Sequence, residues 1–366
     1  MSAVKVNGAI PSTPRGRGTW LRFRRWVGAV AWGAYRGDNP GILIGAMLIL
    51  IAIFAYLLRD TGFMSPINLL SIVRVSTTIT IMAIAIVFVL CAGEIDLSIA
   101  AIVPVSALIT AVLLSWDYNF LLAALIGVLF GAGVGLMNGL AVVFFRIPSF
   151  VVTLGSMGIM QGLAQIVTNA STVSIANESF LFWFGGGSIG PIPVLAFWSL
   201  AGLIIGSIIL SRTATGRRVL VTGANAAAAR YSGIRTGRVK IGVLTASGAA
   251  GGLAGVLYDG QYAAANFTIG ATDLLSVISA AIIGGAALEG GKGTVLGAVV
   301  ASLLVGTLNN ALVLVGFGAP QQVMVQGVII VAAVVVSSRP GRRARWRWLV
   351  ALEEAEHERD KKPSNG

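Results

Sequence analysis

Long apolar runs separated by short polar breaks occupy most of this chain. Ten such runs predict helices at residues 41–58, 68–90, 97–115, 120–145, 150–168, 192–211, 240–258, 272–288, 294–315 and 320–338. Most are about 20 residues long, which as a helix crosses a hydrocarbon layer of about 30 Å. The eighth run is the weakest, because it is short and interrupted by glycine. The pattern predicts an all-α polytopic membrane protein with about ten transmembrane helices.

Composition agrees with this prediction. The 366 residues are 56% hydrophobic and 11% charged, with a mean hydropathy of +0.87, whereas soluble domains carry about 25% charged residues. The single cysteine, Cys91, excludes an internal disulfide and a multi-cysteine metal site. The single histidine, His357, lies in a charged tail without partner ligands. We therefore expect no metal, no other cofactor and no enzyme activity in this chain.

The net charge of +12 reflects basic residues that flank the apolar runs. With the N-terminus inside and ten spans, 24 of the 26 Lys and Arg residues fall on the cytoplasmic side, as the positive-inside rule requires. We therefore predict a multi-pass inner-membrane protein with both termini in the cytoplasm. No nucleic-acid partner is expected, because no basic patch lies on a soluble domain.

Three parts of the chain follow from the same pattern. Residues 1–40 form a basic segment, residues 41–338 a transmembrane domain and residues 339–366 a charged cytoplasmic tail. Within the first part, residues 19–37 mix arginine with tryptophan. This mixture fits a helix lying on membrane lipid, although a plain positive flank of the first span is an equal alternative. A signal peptide fits less well, because Arg36 and a full-length apolar run follow directly.

Two stretches of the chain are similar to each other. GLMNGLAVVFFRIPSF, from Gly135, and GTLNNALVLVGFGAPQQ, from Gly306, align Asn138 with Asn309 and Pro148 with Pro320 after one gap. The two copies would cross the membrane in opposite directions. This indicates an inverted repeat of five plus five spans, as in many transporters, unless the similarity is a chance match of Gly-rich apolar sequence.

The stretch VLCAGEIDLSIAAI places Glu94 and Asp96 between two apolar runs. A charge at bilayer depth is costly and usually functional. In one interpretation Ala92 and Gly93 end the preceding helix early, and the acids line a polar path or hold helix ends during gating. In the other, the stretch is a short inner loop in which Asp96 caps the helix beginning near Leu97, with Ser98 as a local partner.

Further polar residues lie inside the predicted spans. These candidates for a translocation path are Asn138, Gln161, Gln165, Asn309, Asn310, Gln322 and Gln326. Hydrogen bonds between helices are the alternative for at least some of them. The stretch AALEGGKGT, from Ala286, superficially resembles a phosphate loop, but it lacks the first glycine and the Ser or Thr after its lysine. We interpret it as a Gly-rich inner turn.

The longest inner loop, from Thr213 to Arg238, contains a predicted short helix. The sequence GANAAAARYSGI offers Asn225 as an N-cap, a run of alanine that favours helix, and Gly233 as a left-handed end. A basic loop without function is the simpler interpretation.

Four stretches together resemble the permease subunits of ribose/xylose-type ABC sugar importers. AGEIDLSIA is similar to the signature G-G-x-I-D-L-S-x-G of that family, and GANAAAARYSGI to G-x-N-x-x-A-A-x-x-S-G-I. IPSFVVTLGSMGIMQG and the Gly-rich segment from Ile282 to Gly316 also resemble family segments. The resemblance covers about residues 65–338. Ala100 stands where the family usually has Gly, and Asp273 where it more often has Glu.

The resemblance implies that the chain is the membrane subunit of an importer for a monosaccharide, such as ribose or xylose. It implies a second permease chain, identical or different, an ABC ATPase subunit below and an extracytoplasmic sugar-binding protein above. The ATPase would seat on a coupling loop formed by Gly223, Asn225, Ala228, Ala229, Ser232 and Gly233. The alternative is an ion-coupled secondary transporter in which Glu94, Asp96 and Asp273 bind protons or Na⁺. A membrane receptor or scaffold is a third possibility.

Overall fold

The computed structural model describes residues 40–337, which form a bundle of helices. Thirteen α-helices lie within that range: α1 (Pro40–Leu57), α2 (Pro66–Cys91), α3 (Ile99–Ser115), α4 (Phe120–Phe144), α5 (Ser149–Val167), α6 (Glu178–Leu181), α7 (Val194–Arg212), α8 (Ala214–Ala224), α9 (Ala226–Tyr231), α10 (Thr236–Tyr262), α11 (Asp273–Ile283), α12 (Val295–Leu314) and α13 (Ala319–Ser337). The predicted helix on residues 19–37 and the tail from residue 339 lie outside the described residues.

Short non-helical elements lie between α5 and α7 and after α10. Strand β1 (Val173–Ser174) pairs antiparallel with β4 (Ala264–Ala265), and β2 (Ser188–Ile189) pairs antiparallel with β3 (Ile192–Pro193). A π-helical turn at Phe182–Gly186 packs on the end of α10, where Gly185 and Gly260 meet backbone to backbone. These elements cover the bundle at the end opposite α8 and α9.

Every predicted apolar run coincides with a helix of the bundle. Six helices are long and apolar enough to cross a membrane by themselves, namely α2, α4, α5, α7, α10 and α12. Helices α1, α3, α11 and α13 are apolar over shorter lengths. The prediction of a polytopic all-α fold is therefore confirmed, whereas the count of ten spans stays a prediction.

Local sequence accounts for several helix starts. Ser65 accepts a hydrogen bond from the backbone N–H of Asn68, and Pro66 follows it at the first helical position of α2. Asn119 caps α4, and Thr294 caps α12 by accepting from the N–H of Gly297. Helix α10 is longer than predicted at both ends, so Lys240, the first residue of the predicted helix, lies in its second turn.

The closest helix crossing of the bundle joins α4 to α10 through glycine. A Cβ on Gly131 would lie 2.3 Å from the carbonyl oxygen of Gly248, and one on Gly135 would lie 2.2 Å from that of Leu244. The two backbones can approach this closely only because no side chain stands between them. This is the packing by which membrane helices associate without a hydrophobic driving force.

Helices from each half of the chain pack against helices from the other half. Helix α10 packs on α3 and α4, whereas α2 packs on α11 and α12. In a five-plus-five repeat, α2, α3 and α4 correspond to α10, α11 and α12. The middle helices of each half therefore pack against equivalent helices of the other, which is the arrangement that an inverted repeat produces.

Candidate functional site

The loop between α2 and α3 begins with a tight helix end. The N–H of Glu94 donates to the carbonyl of Val89 at 3.1 Å, and the N–H of Gly93 donates to that of Leu90 at 2.8 Å. Gly93 has φ +76°, a conformation that L side chains rarely adopt. These are the two bonds and the left-handed residue of a Schellman motif. The motif ends α2 sharply and turns the chain so that both acids face the protein interior.

Asp96 anchors the second half of this loop. Its Oδ1 accepts hydrogen bonds from the backbone N–H of Ser98 at 2.8 Å and from the Ser98 hydroxyl at 2.6 Å. Asn138 of α4 donates its amide to the same hydroxyl at 3.0 Å. Burial raises the pKa of the Asp96 carboxyl above its ordinary value, and the hydrogen bonds from Ser98 oppose that shift. Helix α3 begins at Ile99, not near Leu97, so Asp96 holds the turn that precedes the helix.

Glu94 is held by a cation that sequence reasoning did not connect with it. Its carboxylate accepts from Lys240 Nζ at 2.5 Å, while its side chain is 5% exposed and that of Lys240 is 30% exposed. The pair joins the α2–α3 loop to the start of α10. Glu94 therefore lies in a largely buried ion pair.

The same loop is fastened to the first turn of α5. The N–H of Ile95 donates to Ser149 Oγ at 3.0 Å, and the N–H of Leu97 donates to Thr153 Oγ1 at 3.2 Å. Both hydroxyls belong to the stretch IPSFVVTLG, which the sequence analysis noted without assigning a role. Two of the four recognised stretches are thus in direct contact.

Gly223, at the C-terminal end of α8, packs against the end of α2 and the Gly-rich turn before α12. A Cβ there would lie 2.0 Å from the carbonyl oxygen of Cys91 and 2.8 Å from the backbone N of Gly291. The N–H of Gly291 donates to the Cys91 carbonyl at 3.0 Å. Gly93 and Gly290 also approach Gly223 closely. The Gly-rich turn before α12 therefore packs on α8 and the end of α2, as a turn between helices.

The predicted short helix is present as α9, with both of its predicted ends. Asn225 Oδ1 accepts from the N–H groups of Ala227 and Ala228 at 3.0 Å each. Gly233 has φ +79° and donates to the carbonyl of Arg230, which ends the helix in a left-handed turn. Sequence analysis missed α8, the helix that precedes α9 in the same loop.

One face of α9 is exposed and the other is buried. Ala228, Ser232 and Gly233 are exposed, whereas Ala229 is fully buried within the chain. Tyr231, which the sequence analysis did not select, is 94% exposed at the end of the helix. Beside it lies a cleft of about 580 Å³ between α8 and α10, lined by arginine. The arginines are Arg217, Arg218, Arg235 and Arg238.

A cavity of about 250 Å³ lies between α3, α5 and the segment leading to α11. Gln161 and Gln165, one turn apart on α5, both line it, together with Phe267 and Thr268. Gln161 lies about 18 Å along the helix from Ser149 at 1.5 Å per residue. The structure thus brings these two predicted pathway residues together at one partly open cavity.

Asn309, Asn310 and Gln326 lie elsewhere, between helices α2, α12 and α13. Asn310 and Asn68 exchange amide hydrogen bonds at 2.9 and 3.0 Å, and Gln326 donates to Asn309 at 3.2 Å. Gln322 is half-buried and donates to the carbonyl of Phe317 within its own part of the chain. Asn309, Asn310 and Gln326 therefore form hydrogen bonds between helices, and none of them lines the cavity.

Two acids near the C-terminal end of α10 have structural surroundings that the sequence analysis did not predict. Tyr258 donates its hydroxyl to Asp273, the first residue of α11, at 2.5 Å. Asp259 is fully buried, and within residues 40–337 neither of its carboxylate oxygens has a hydrogen-bond partner. The sequence around Asp259 did not predict its burial, because the burial depends on the helices that pack around it.

Comparison with known proteins gives consistent matches along most of the chain. Residues 68–334 match a family described as branched-chain amino acid transport system / permease component. The chain is 34% identical over 303 residues to the L-arabinose ABC transporter permease protein AraH of Azospirillum brasilense, covering 82% of this chain and 89% of that protein. No solved structure matches it.

Two further relatives come from Escherichia coli strain K12. The ribose import permease protein RbsC is 32% identical over 300 residues, which cover 80% of this chain and 92% of that protein. The D-allose transport system permease protein AlsC is 33% identical over 291 residues, which cover 79% and 89%. All three relatives are permease proteins and are similar to this chain over nearly their whole length.

Proposed function

Because this chain belongs to the family of ABC transport-system permease components, we propose that it forms the membrane path of an ATP-driven importer for a monosaccharide, and specifically a pentose such as ribose or xylose. The observation that carries the proposal is the similarity to three sugar permeases over about four fifths of the chain. One of these relatives is named for allose, which is a hexose. Uptake measured with both pentoses and hexoses therefore tests whether the substrate is a pentose.

The proposed assembly contains partners on both sides of the membrane. An ABC ATPase subunit docks at α9 on the cytoplasmic side, and an extracytoplasmic sugar-binding protein docks at the opposite end. A second permease chain, identical or different, completes the path, and both termini of this chain lie in the cytoplasm. The basic cleft beside α9 supports this orientation, because arginine-rich surfaces favour the cytoplasmic side.

The contacts of α8 and α9 suggest how an ATPase would act on the path. Motion of α9 passes to Gly223, which touches the Cys91 carbonyl and the turn at Gly291. From Cys91 it reaches the α2–α3 loop, which is bonded to α5 through Ser149 and Thr153. Glu94 and Asp96 hold this loop rigid through Lys240 and Ser98. In this proposal the acids are gating elements and the chain itself hydrolyses nothing.

The energy source is tested by sugar uptake into vesicles that contain the complete transporter. We expect uptake to require ATP and to continue when a protonophore removes the proton gradient at constant ATP. The physical reason is that the three acids named in the ion-coupled alternative already have partners: Glu94 is paired with Lys240, Asp96 with Ser98 and Asp273 with Tyr258. Uptake driven by an ion gradient without any ATPase would instead establish the ion-coupled alternative.

The docking site is tested at Tyr231. Exposed tyrosine is enriched among interface residues whose truncation costs about 2 kcal/mol or more, so Tyr231→Ala is expected to weaken ATPase binding by more than about tenfold. The measurement is the amount of ATPase that co-purifies with the permease. Tyr118→Ala is the matched control, because Tyr118 is 48% exposed in the α3–α4 connection and away from α9. Full ATPase recovery with Tyr231→Ala would place the docking surface elsewhere.

A further inference from the structure

One wall of the cavity between α3 and α5 contains an interrupted helix. Pro104 lies inside α3 and has no backbone N–H to donate. The carbonyl four residues earlier belongs to Ala100, which therefore loses its α-helical donor. Ala100 and Pro104 both line the cavity. The interruption therefore leaves the Ala100 carbonyl without its helical donor at a residue that lines the cavity.

The facing wall carries the two amides of α5. Gln161 and Gln165 are exposed in this chain although they lie on a helix of membrane-spanning length. A glutamine amide that faces hydrocarbon loses its hydrogen bonds at a cost, so these side chains require a polar neighbour. Each amide can both donate and accept, as can each hydroxyl of a sugar.

The third side of the cavity is less polar. Phe267 presents an aromatic ring and Thr268 a hydroxyl, and both belong to the segment between β4 and α11. A mostly apolar cavity with a few convergent polar groups is the usual form of a small-molecule site. A monosaccharide matches this combination, because its ring has an apolar C–H face and an edge of hydroxyl groups.

We propose that this cavity is a monosaccharide subsite on the translocation path, with Gln161, Gln165 and the Ala100 carbonyl as its polar contacts. The inference rests on the proposed function. Ala100 contributes a methyl group to the wall, and in this proposal that methyl group limits the size of the sugar that passes.

The test uses proteoliposomes that contain the permease, its ATPase and its binding protein, with radiolabelled D-ribose, L-arabinose and D-allose as probes. Gln161→Leu is expected to lower the rate of sugar uptake about tenfold, since one hydrogen bond to the passing sugar is lost. ATP hydrolysis should be unchanged, so that more ATP is consumed per sugar. A merely structural defect would lower both rates together. Gln322→Leu makes the same chemical change outside the cavity and should leave uptake as it is.

Two further variants address the opposite wall. Pro104→Ala supplies the N–H donor that the Ala100 carbonyl lacks, so this carbonyl is no longer free to bind a sugar hydroxyl. Alanine also favours the helix, so uptake should fall without loss of protein from the membrane. Ala100→Gly widens the cavity and should raise uptake of D-allose relative to D-ribose by about tenfold, the smaller end of the effect of one methylene in a pocket. If Gln161→Leu lowers the abundance of the permease in the membrane, its uptake rate no longer tests the subsite. Pro104→Ala and Ala100→Gly then provide the test.

The outcomes separate the subsite from the proposed function. If the unaltered transporter takes up neither these three sugars nor D-xylose in the presence of ATP, the proposed function is wrong. If it takes them up and Gln161→Leu, Pro104→Ala and Ala100→Gly all leave the rate, the ATP consumed per sugar and the sugar preference unchanged, the subsite is wrong while the function stands. An equal effect of Gln161→Leu and Gln322→Leu would also overturn the subsite.

Discussion

Gly248→Val is expected to remove most of the folded permease from the membrane. A Cβ at this position would lie 2.1 Å from the carbonyl oxygen of Gly131 and 2.8 Å from the backbone N of Gly135. Overpacking costs about 1–3 kcal/mol where side chains can adjust. The obstructing atoms here belong to the backbone of α4, so the whole helix would have to move, and the cost should exceed that range. A loss of only 1–2 kcal/mol already changes cellular abundance several-fold.

Two glycines on the same helices provide the controls. Gly242 on α10 and Gly133 on α4 have no neighbouring atoms within 4 Å of an added Cβ. Gly242→Val and Gly133→Val therefore make the same substitution, with the same loss of backbone freedom, at open positions. Membrane abundance and thermal unfolding in detergent should be near normal for both. Equal losses in all three variants would show that valine itself, not the α4–α10 crossing, is responsible.

Lys240→Met is expected to destabilise the protein by about 3–5 kcal/mol, the range measured when one partner of a buried ion pair is removed. Glu94 would remain as a carboxylate with only 5% of its side chain exposed and with its cation gone. Glu94→Gln should cost much less, because Lys240 is 30% exposed and can place its ammonium group in water. The measurement is thermal unfolding of the purified permease, together with its abundance.

The double variant checks whether the effect is truly that of the pair. With Glu94→Gln present, Lys240→Met no longer strands a charge, so the double variant should be clearly more stable than Lys240→Met alone. A double-mutant cycle gives the coupling between the two positions directly. Strictly additive losses would mean that Lys240 acts through its own packing, and the role of the pair in holding the α2–α3 loop would have to be abandoned.

Features that depend on neighbouring residues in the sequence were predictable. A bilayer demands an apolar helix of fixed length from each segment separately, so the ten runs coincide with helices. The ends of α9 were predictable for the same reason, since Asn225 and Gly233 act on backbone groups within a few residues of themselves.

Features that depend on tertiary contacts were not predictable from one sequence. The partner of Glu94 is Lys240, at the start of a helix in the other half of the chain. The abundance of glycine indicated close packing, but not that Gly131 meets Gly248 or that Gly223 meets Cys91. The sequence likewise did not distinguish among the candidate path residues, whereas the structure places Gln161 at a cavity and Asn310 in a helix contact.

The position of Cys91 gives the molecule a chemical reporter of its own. It is the only cysteine of the chain, and it is fully buried where the end of α2 meets Gly223 and the turn before α12. A thiol-reactive dye has no other sulfhydryl group to modify in this subunit. Its sulfur lies against Gly293 of that turn, so a step of the transport cycle that moves the turn away from α2 exposes the thiol, and the labelling rate of the unmodified protein measures how often that junction opens.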